Sequence, residues 1–223
     1  MVEEKDMRHK QLFPSIEIKD DKTPMKSLKD AGVKLIYEPS IMEGYKYLVR
    51  EPIFEKIERI GEFLETEDKR LIIRSAWRSF EHQRILWETN MEAHKKKHPE
   101  MAAKDLHTLV SYFIAPERES THTTGGAVDA LIYDLRKDCV MNFGTNDGLK
   151  INLNKKCYPH HPEISDEAKE NRALLIHLFE EEDFVVDLKE YWHFDYGNAG
   201  WALEKGKDHA IYGIMENETE AWK

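Results

Sequence analysis

Residues 166–196 read DEAKENRALLIHLFEEEDFVVDLKEYWHFDY, and two periodicities meet within them. Ala168, Leu175, Leu178 and Phe179 share one face at helical spacing, Asp166 opens that helix, and the acidic run Glu180 to Asp183 closes it. FVVDL and EYWHFDY follow directly, rich in the β-branched and aromatic residues that favour strands. A helix leading into two consecutive strands breaks the strict alternation that builds a parallel α/β sheet. The expected fold class is therefore α+β, with a central antiparallel sheet packed with helices.

Upstream, AVDALIY at 127–133 predicts another strand, and PERESTHTTGG at 116–126 the loop that feeds it. Leu71, Ile72 and Ile73 form a short apolar run that predicts a buried strand. Ile53, Phe54, Ile57, Ile60 and Leu64 recur at helical spacing behind Pro52, so a helix over about 52 to 65 is expected. Ser79 can cap a further helix from Glu81 to Lys97, which Pro99 stops, and Met101 to Phe113 predicts one more ahead of Pro116. Between Lys137 and Ile164 Gly, Asn and Pro occur without clear period, which predicts a long irregular excursion of the functional or mobile kind. The first forty residues read as a polar arm with short extended pieces. No repeat, low-complexity segment or Gly/Ser linker divides the chain, so residues 1–223 are expected to form a single domain.

The 223 residues suffice for one sizeable core. A formal charge of −10 repels phosphate backbones and anionic lipid, which argues against nucleic acid and membrane surfaces as partners. The N-terminal stretch is polar and mixed in charge, and no run approaches the ~20 apolar residues of a membrane span. A soluble cytoplasmic protein is the expectation. Cys139 and Cys157 form no CxxC pair and are expected to be free thiols.

Catalytic zinc is usually held by three N or O side chains with a fourth position left for water, and His122, Asp129 and His193 can supply such a set. Asp129 shares a strand face with Ala127, Leu131 and Tyr133, where an unpaired buried carboxylate is costly and a metal is one partner that relieves it. By itself this half stays open, since a histidine near a glycine turn is also an ordinary surface or core residue and Asp129 could pair with an arginine. EYWHF adds Glu190 three residues ahead of a second histidine, a spacing that suits a general base beside a metal-activated water. The alternative is a strand-capping Glu190 with His193 filling the core among aromatics. In a regular strand positions 190 and 193 point to opposite faces, so Glu190 is expected at the strand start or on a bulge. Arg78, at a strand-to-helix junction, could hold an oxyanion or a substrate carboxylate, or simply make a surface ion pair.

Together these segments resemble the zinc D,D-peptidases, and within them the D-alanyl-D-alanine dipeptidases of the VanX type. STHTTGGAVD matches SxHxxGxAxD at every fixed position, EYWHF matches E(W/Y)WHF, and FDYGNAGWALEKGKDHAIYGI is similar to the dipeptidase tail. The resemblance runs from about Leu71 to Ile214. It implies one Zn2+ per chain held by His122, Asp129 and His193, Glu190 as general base, Arg78 as the arginine that stabilises the transition state, and Ser120 touching substrate. MNFGTND resembles a dipeptidase segment whose acid receives the substrate ammonium, which would make Asp147 a substrate contact although it arrives one residue early. EGYKY at 43–47 resembles the N-terminal region of the dipeptidases, which implies Tyr45 as a pocket residue. SAWRSFEHQ around Arg78 is closer to the carboxypeptidase pattern SGYRSxxxQ.

The function implied is hydrolysis of D-alanyl-D-alanine or a similar dipeptide, with a small peptide as the substrate partner and no redox cofactor. The alternatives are a D,D-carboxypeptidase acting on peptidoglycan stems and a non-catalytic zinc-containing module that binds cell-wall peptides.

Overall fold

The computed structural model describes residues 12–111, 114–147, 150–151, 155–217 and 219. In chain order come β1 (Glu17–Ile18), β2 (Met25–Ser27), β3 (Ile36–Tyr37), β4 (Leu48–Arg50), α1 (Glu51–Thr66), β5 (Lys69–Ser75), α2 (Phe80–Lys97) and α3 (Ala103–Ser111). Then follow β6 (Ala127–Asp134), β7 (Cys139–Val140), β8 (Asn146–Asp147), β9 (Lys150–Ile151), α4 (Asp166–Glu181), β10 (Val185–Val186), β11 (His193–Asp195), α5 (Ala199–Glu204) and β12 (His209–Ala210).

The main helices start where local chemistry puts them. Pro52 lies in the first turn of α1, whose Ile53, Phe54, Ile57, Ile60 and Leu64 are all buried. Ser79 caps α2 and Ser165 caps α4, each hydroxyl accepting a backbone N–H three residues on. Asp68 (φ +53°) and Asp183 (φ +66°) take the left-handed conformation that turns α1 into β5 and α4 toward β10. The helix expected to Phe113 is described from Ala103 to Ser111; residues 112–113 lie outside the described residues.

The principal sheet is six-stranded, in the order β10-β11-β6-β5-β3 with β7 also paired to β6. The α+β class holds, but the sheet is mixed, because β3 runs parallel to β5 while the other pairs are antiparallel. Part of the expected polar arm thus supplies the edge strand that makes the sheet mixed, and Leu28 from the same arm is completely buried in the main core. The strands expected over FVVDL and EYWHFDY shrink to Val185–Val186 and His193–Asp195. A turn intervenes, with Glu190 O accepting from His193 N at 3.0 Å.

One core of buried residues unites α1, β5, β6, α4 and β11. Phe179 of α4 stacks on Phe194 of β11 with centroids 3.8 Å apart, so α4 packs behind the strand carrying His193. Within the expected irregular excursion, Phe143 and Tyr158 are tied to that core. Arg172, fully buried in α4, donates from Nε at 2.8 Å to Phe143 O and from Nη1 at 2.6 Å to Tyr158 O, and lies 4.0 Å over the Tyr191 ring. No helix among the described residues is long and apolar enough to cross a membrane.

Candidate metal centre and active site

The sheet brings the predicted residues together by register. On β6, Asp129 is the cross-strand partner of His193 on β11 and, on its other side, of Ser75 at the end of β5. Directly opposed residues share a face with Cβ atoms about 4.5–5.5 Å apart. His122 arrives from the 3-10 turn Thr121–Thr124, which Gly125 ends at φ +72°. That left-handed exit favours glycine and swings the chain straight into β6. At Gly126 an added Cβ would lie 2.5 Å from Tyr196 O, so only glycine lets the two backbones meet.

Among the described residues, His122, Asp129 and His193 each offer a donor atom within 4.8 Å of the others, and all three are buried. His122 Nδ1 donates to Ala76 O at 2.8 Å while its Nε2 lies 3.2 Å from Asp129 Oδ2. His193 presents the other nitrogen: Nδ1 lies 2.9 Å from Asp129 Oδ1, and Nε2 lies 3.1 Å from Asp195 Oδ1 and 3.1 Å from Thr121 Oγ1. Two imidazoles and one carboxylate, each imidazole oriented through its second nitrogen, form the donor set that Zn2+ takes with a position open for substrate or water.

Electrostatics follow the geometry. Burial by itself would raise the Asp129 carboxyl, but His122 and His193 hold it well below the usual carboxylate range. Burial works against charge on His193, yet Asp195 and Asp129 outweigh it and raise its pKa well above that of an ordinary histidine. His122 is pushed down to about 4 by burial and then by the Arg78 guanidinium. Glu190 is pushed up to about 8, by burial first and the Asp187 carboxylate second; a cation held beside it would pull that value back down.

These residues line a cleft of about 400 Å³ together with Glu190, Arg78, Ser120 and Tyr45. Glu190 precedes β11 instead of lying in it, as the face argument required. The Asp187 carboxylate shapes this approach by accepting from Lys189 N at 2.8 Å and Glu190 N at 3.0 Å. Arg78 is held by three partners: Nε donates to Ser75 Oγ at 2.8 Å, Nη1 to Gln83 Oε1 at 3.3 Å and Nη2 to Asp129 Oδ2 at 2.9 Å. Tyr45 Oη accepts from Ala76 N at 2.8 Å. Asp147 lies on β8, and its side chain is outside the described residues.

Sequence reasoning missed the residues that support this set. A bulge between Ile73 and Ser75 lets two successive side chains, Arg74 and Ser75, face one cleft. No local signal marks it. Asp195 had a readable signal, since positions 193 and 195 share a strand face.

Buried imidazoles and a carboxylate beside a general-base candidate and a fixed guanidinium make the composition of a metal-dependent hydrolase site. Residues 37–211 match the model of the peptidase M15 family, described as D-ala-D-ala dipeptidase, and the chain belongs to that family. Solved structures similar to it include the vancomycin-resistance D,D-pentapeptidase VanY of a VanB-type cassette with Zn(II), 14% identical, covering 85% of this chain and 93% of that one, TM-score 0.47. VanYB in complex with D-alanine-D-alanine gives 14%, 85%, 92% and 0.47 by the same measures. The LdcB LD-carboxypeptidase gives 14%, 90%, 79% and 0.48. No curated protein matches.

Proposed function

We propose that the protein is a zinc-dependent D,D-dipeptidase that hydrolyses D-alanyl-D-alanine or a similar free dipeptide. The observation that carries the reading is that Glu190 and Arg78 flank His122, Asp129 and His193 in a single cleft. A module that only bound zinc and peptide would need the ligands but neither the base nor the guanidinium.

His122 Nε2, an Asp129 oxygen and His193 Nδ1 are the atoms that would hold the metal, because the remaining imidazole nitrogens are committed to Ala76 O and Asp195. Bound Zn2+ supplies Lewis-acid chemistry, acidifying water and polarising a carbonyl. The Glu190 carboxylate takes the proton of the attacking water and delivers it to the leaving amine nitrogen. Arg78 has five N–H groups, and three are engaged with Ser75, Gln83 and Asp129. Those three fix the plane of the guanidinium, and its remaining donors and permanent charge serve the oxygen that becomes negative at the attacked carbonyl. Tyr45 and Ser120 line the wall against which the dipeptide lies.

Gln83 in SAWRSFEHQ favours a second reading, a D,D-carboxypeptidase, because that carboxypeptidase-like glutamine contacts Arg78 and also donates to Ala115 O at 2.6 Å. Metal analysis with a stereoisomer panel tests the choice. We expect one Zn2+ per chain and hydrolysis of D-alanyl-D-alanine but not of the L,L isomer. Equal rates on an acylated D,D-tripeptide would establish the carboxypeptidase instead, and zinc without hydrolysis of any D,D-peptide would leave the binding module.

A further inference from the structure

We propose that Asp195 is a positioning residue for the metal: it selects and holds the form of His193 that presents Nδ1 as a ligand. The inference rests on the metal-site reading above.

A neutral imidazole carries one N–H and one lone pair, and a metal takes the lone pair. For Nδ1 of His193 to be the ligand, the proton must sit on Nε2, where an acceptor is needed. Asp195 Oδ1 is that acceptor, 3.1 Å away and buried with His193. His122 solves the same problem with the opposite nitrogen and a neutral acceptor, Ala76 O at 2.8 Å. The two ligands are therefore not equivalent. A carboxylate behind His193 raises the basicity of its donor nitrogen more than a peptide carbonyl can, and such outer partners orient the ring as well.

Asp195 is itself fixed. Asn198, fully buried, donates from Nδ2 at 2.6 Å to Asp195 Oδ1 and at 3.1 Å to Gly126 O. Its Oδ1 accepts from Trp201 N at 3.1 Å as the cap of α5. Thr121 Oγ1, next to His122 in sequence, lies 3.1 Å from the same His193 nitrogen. Asp195 thus sits where the His122 turn, the start of β6 and the His193 strand are tied together. An acid at this place with only a structural duty would satisfy Asn198 equally well as an amide. Orienting a metal-binding imidazole requires an acceptor, and the charge strengthens it.

The test is D195N, a substitution of nearly equal shape, with zinc affinity measured by chelator competition and with the visible spectrum of the Co2+-substituted protein. We expect zinc affinity to fall about 10–100-fold and the Co2+ spectrum to shift, with the melting temperature of the metal-free protein little changed. At saturating zinc, kcat should drop while KM stays within about twofold, as expected when a group acts through the metal rather than on substrate. Unchanged zinc affinity together with an unchanged Co2+ spectrum would overturn the proposal. If D195N does not fold, 15N shifts of the His193 ring in wild-type zinc protein decide: a protonated Nε2 supports the role, and a proton on Nδ1 overturns it. Wild-type protein that takes up no zinc would overturn the proposed function itself, whereas zinc-loaded wild type with an indistinguishable D195N removes this inference alone.

Discussion

Glu190 and His82 show how far one side chain's surroundings decide its job. Glu190 is the proton acceptor of the proposed reaction, and Gln keeps its size without the acceptor. Glu190→Gln should retain one zinc per chain and lose about 10²–10⁴-fold in kcat; a variant of undiminished kcat would remove Glu190 from the reaction. His82 lines the same cleft, with its ring edge-on to Tyr45 at 5.0 Å. Burial, then the Arg78 charge, push it from the ordinary 6.5 down to about 4. Between those values the unfolded chain binds more protons than the folded one. The contribution of neutral His82 is therefore complete above pH 6.5 and lost as pH falls toward 4. Replacing His82 with Asn should flatten the decline in melting temperature over that window, and an equally steep decline in the variant would contradict the assignment.

At the level of elements, the site depends on how β6 meets β11 and the turn ahead of it. Gly126 O accepts from Tyr196 N at 2.8 Å and from Asn198 Nδ2 at 3.1 Å, so the backbones are in direct contact there. Gly126→Ala forces a methyl against Tyr196 O and should destabilise the fold by about 1–3 kcal/mol, read as a lowered urea midpoint. An unchanged midpoint would show that the close approach is not required. The helices were legible because their apolar periodicity and start signals are local: Ser79, Pro52 and Asp166 stand where they act. Strand lengths were less legible. EYWHFDY has strand composition throughout, but Asp187 accepting the Lys189 and Glu190 N–H groups turns the backbone and delays pairing until His193.

For the whole molecule, the three proposed metal ligands come from a 3-10 turn and two strands, so metal binding should be coupled to folding. A ligand that binds only the folded state stabilises it by about 2.7 kcal/mol at a hundredfold excess over its Kd. Chelation should lower the melting temperature and added Zn2+ should restore it; a melting temperature indifferent to both would argue against a metal in this cluster. The mixed sheet is also a whole-molecule property. The parallel pairing of Ile36 and Tyr37 with Ile72 and Ile73 joins an N-terminal segment to the central strands, although its polar composition marked it as an arm.

The α+β class and the main helices were readable in the order of residues because they rest on local periodicity and capping, and the ligand and base candidates were marked by the compact segments STHTTGGAVD and EYWHF and their resemblance to the zinc D,D-peptidases. It took the folded chain to set which nitrogen of each histidine faces Asp129, to bring Arg74 and Ser75 both into the cleft through a bulge, and to stand Asp195 behind His193. Those features are fixed by cross-strand register and by hydrogen bonds between residues far apart in the chain, and neither is written in the order of the residues alone.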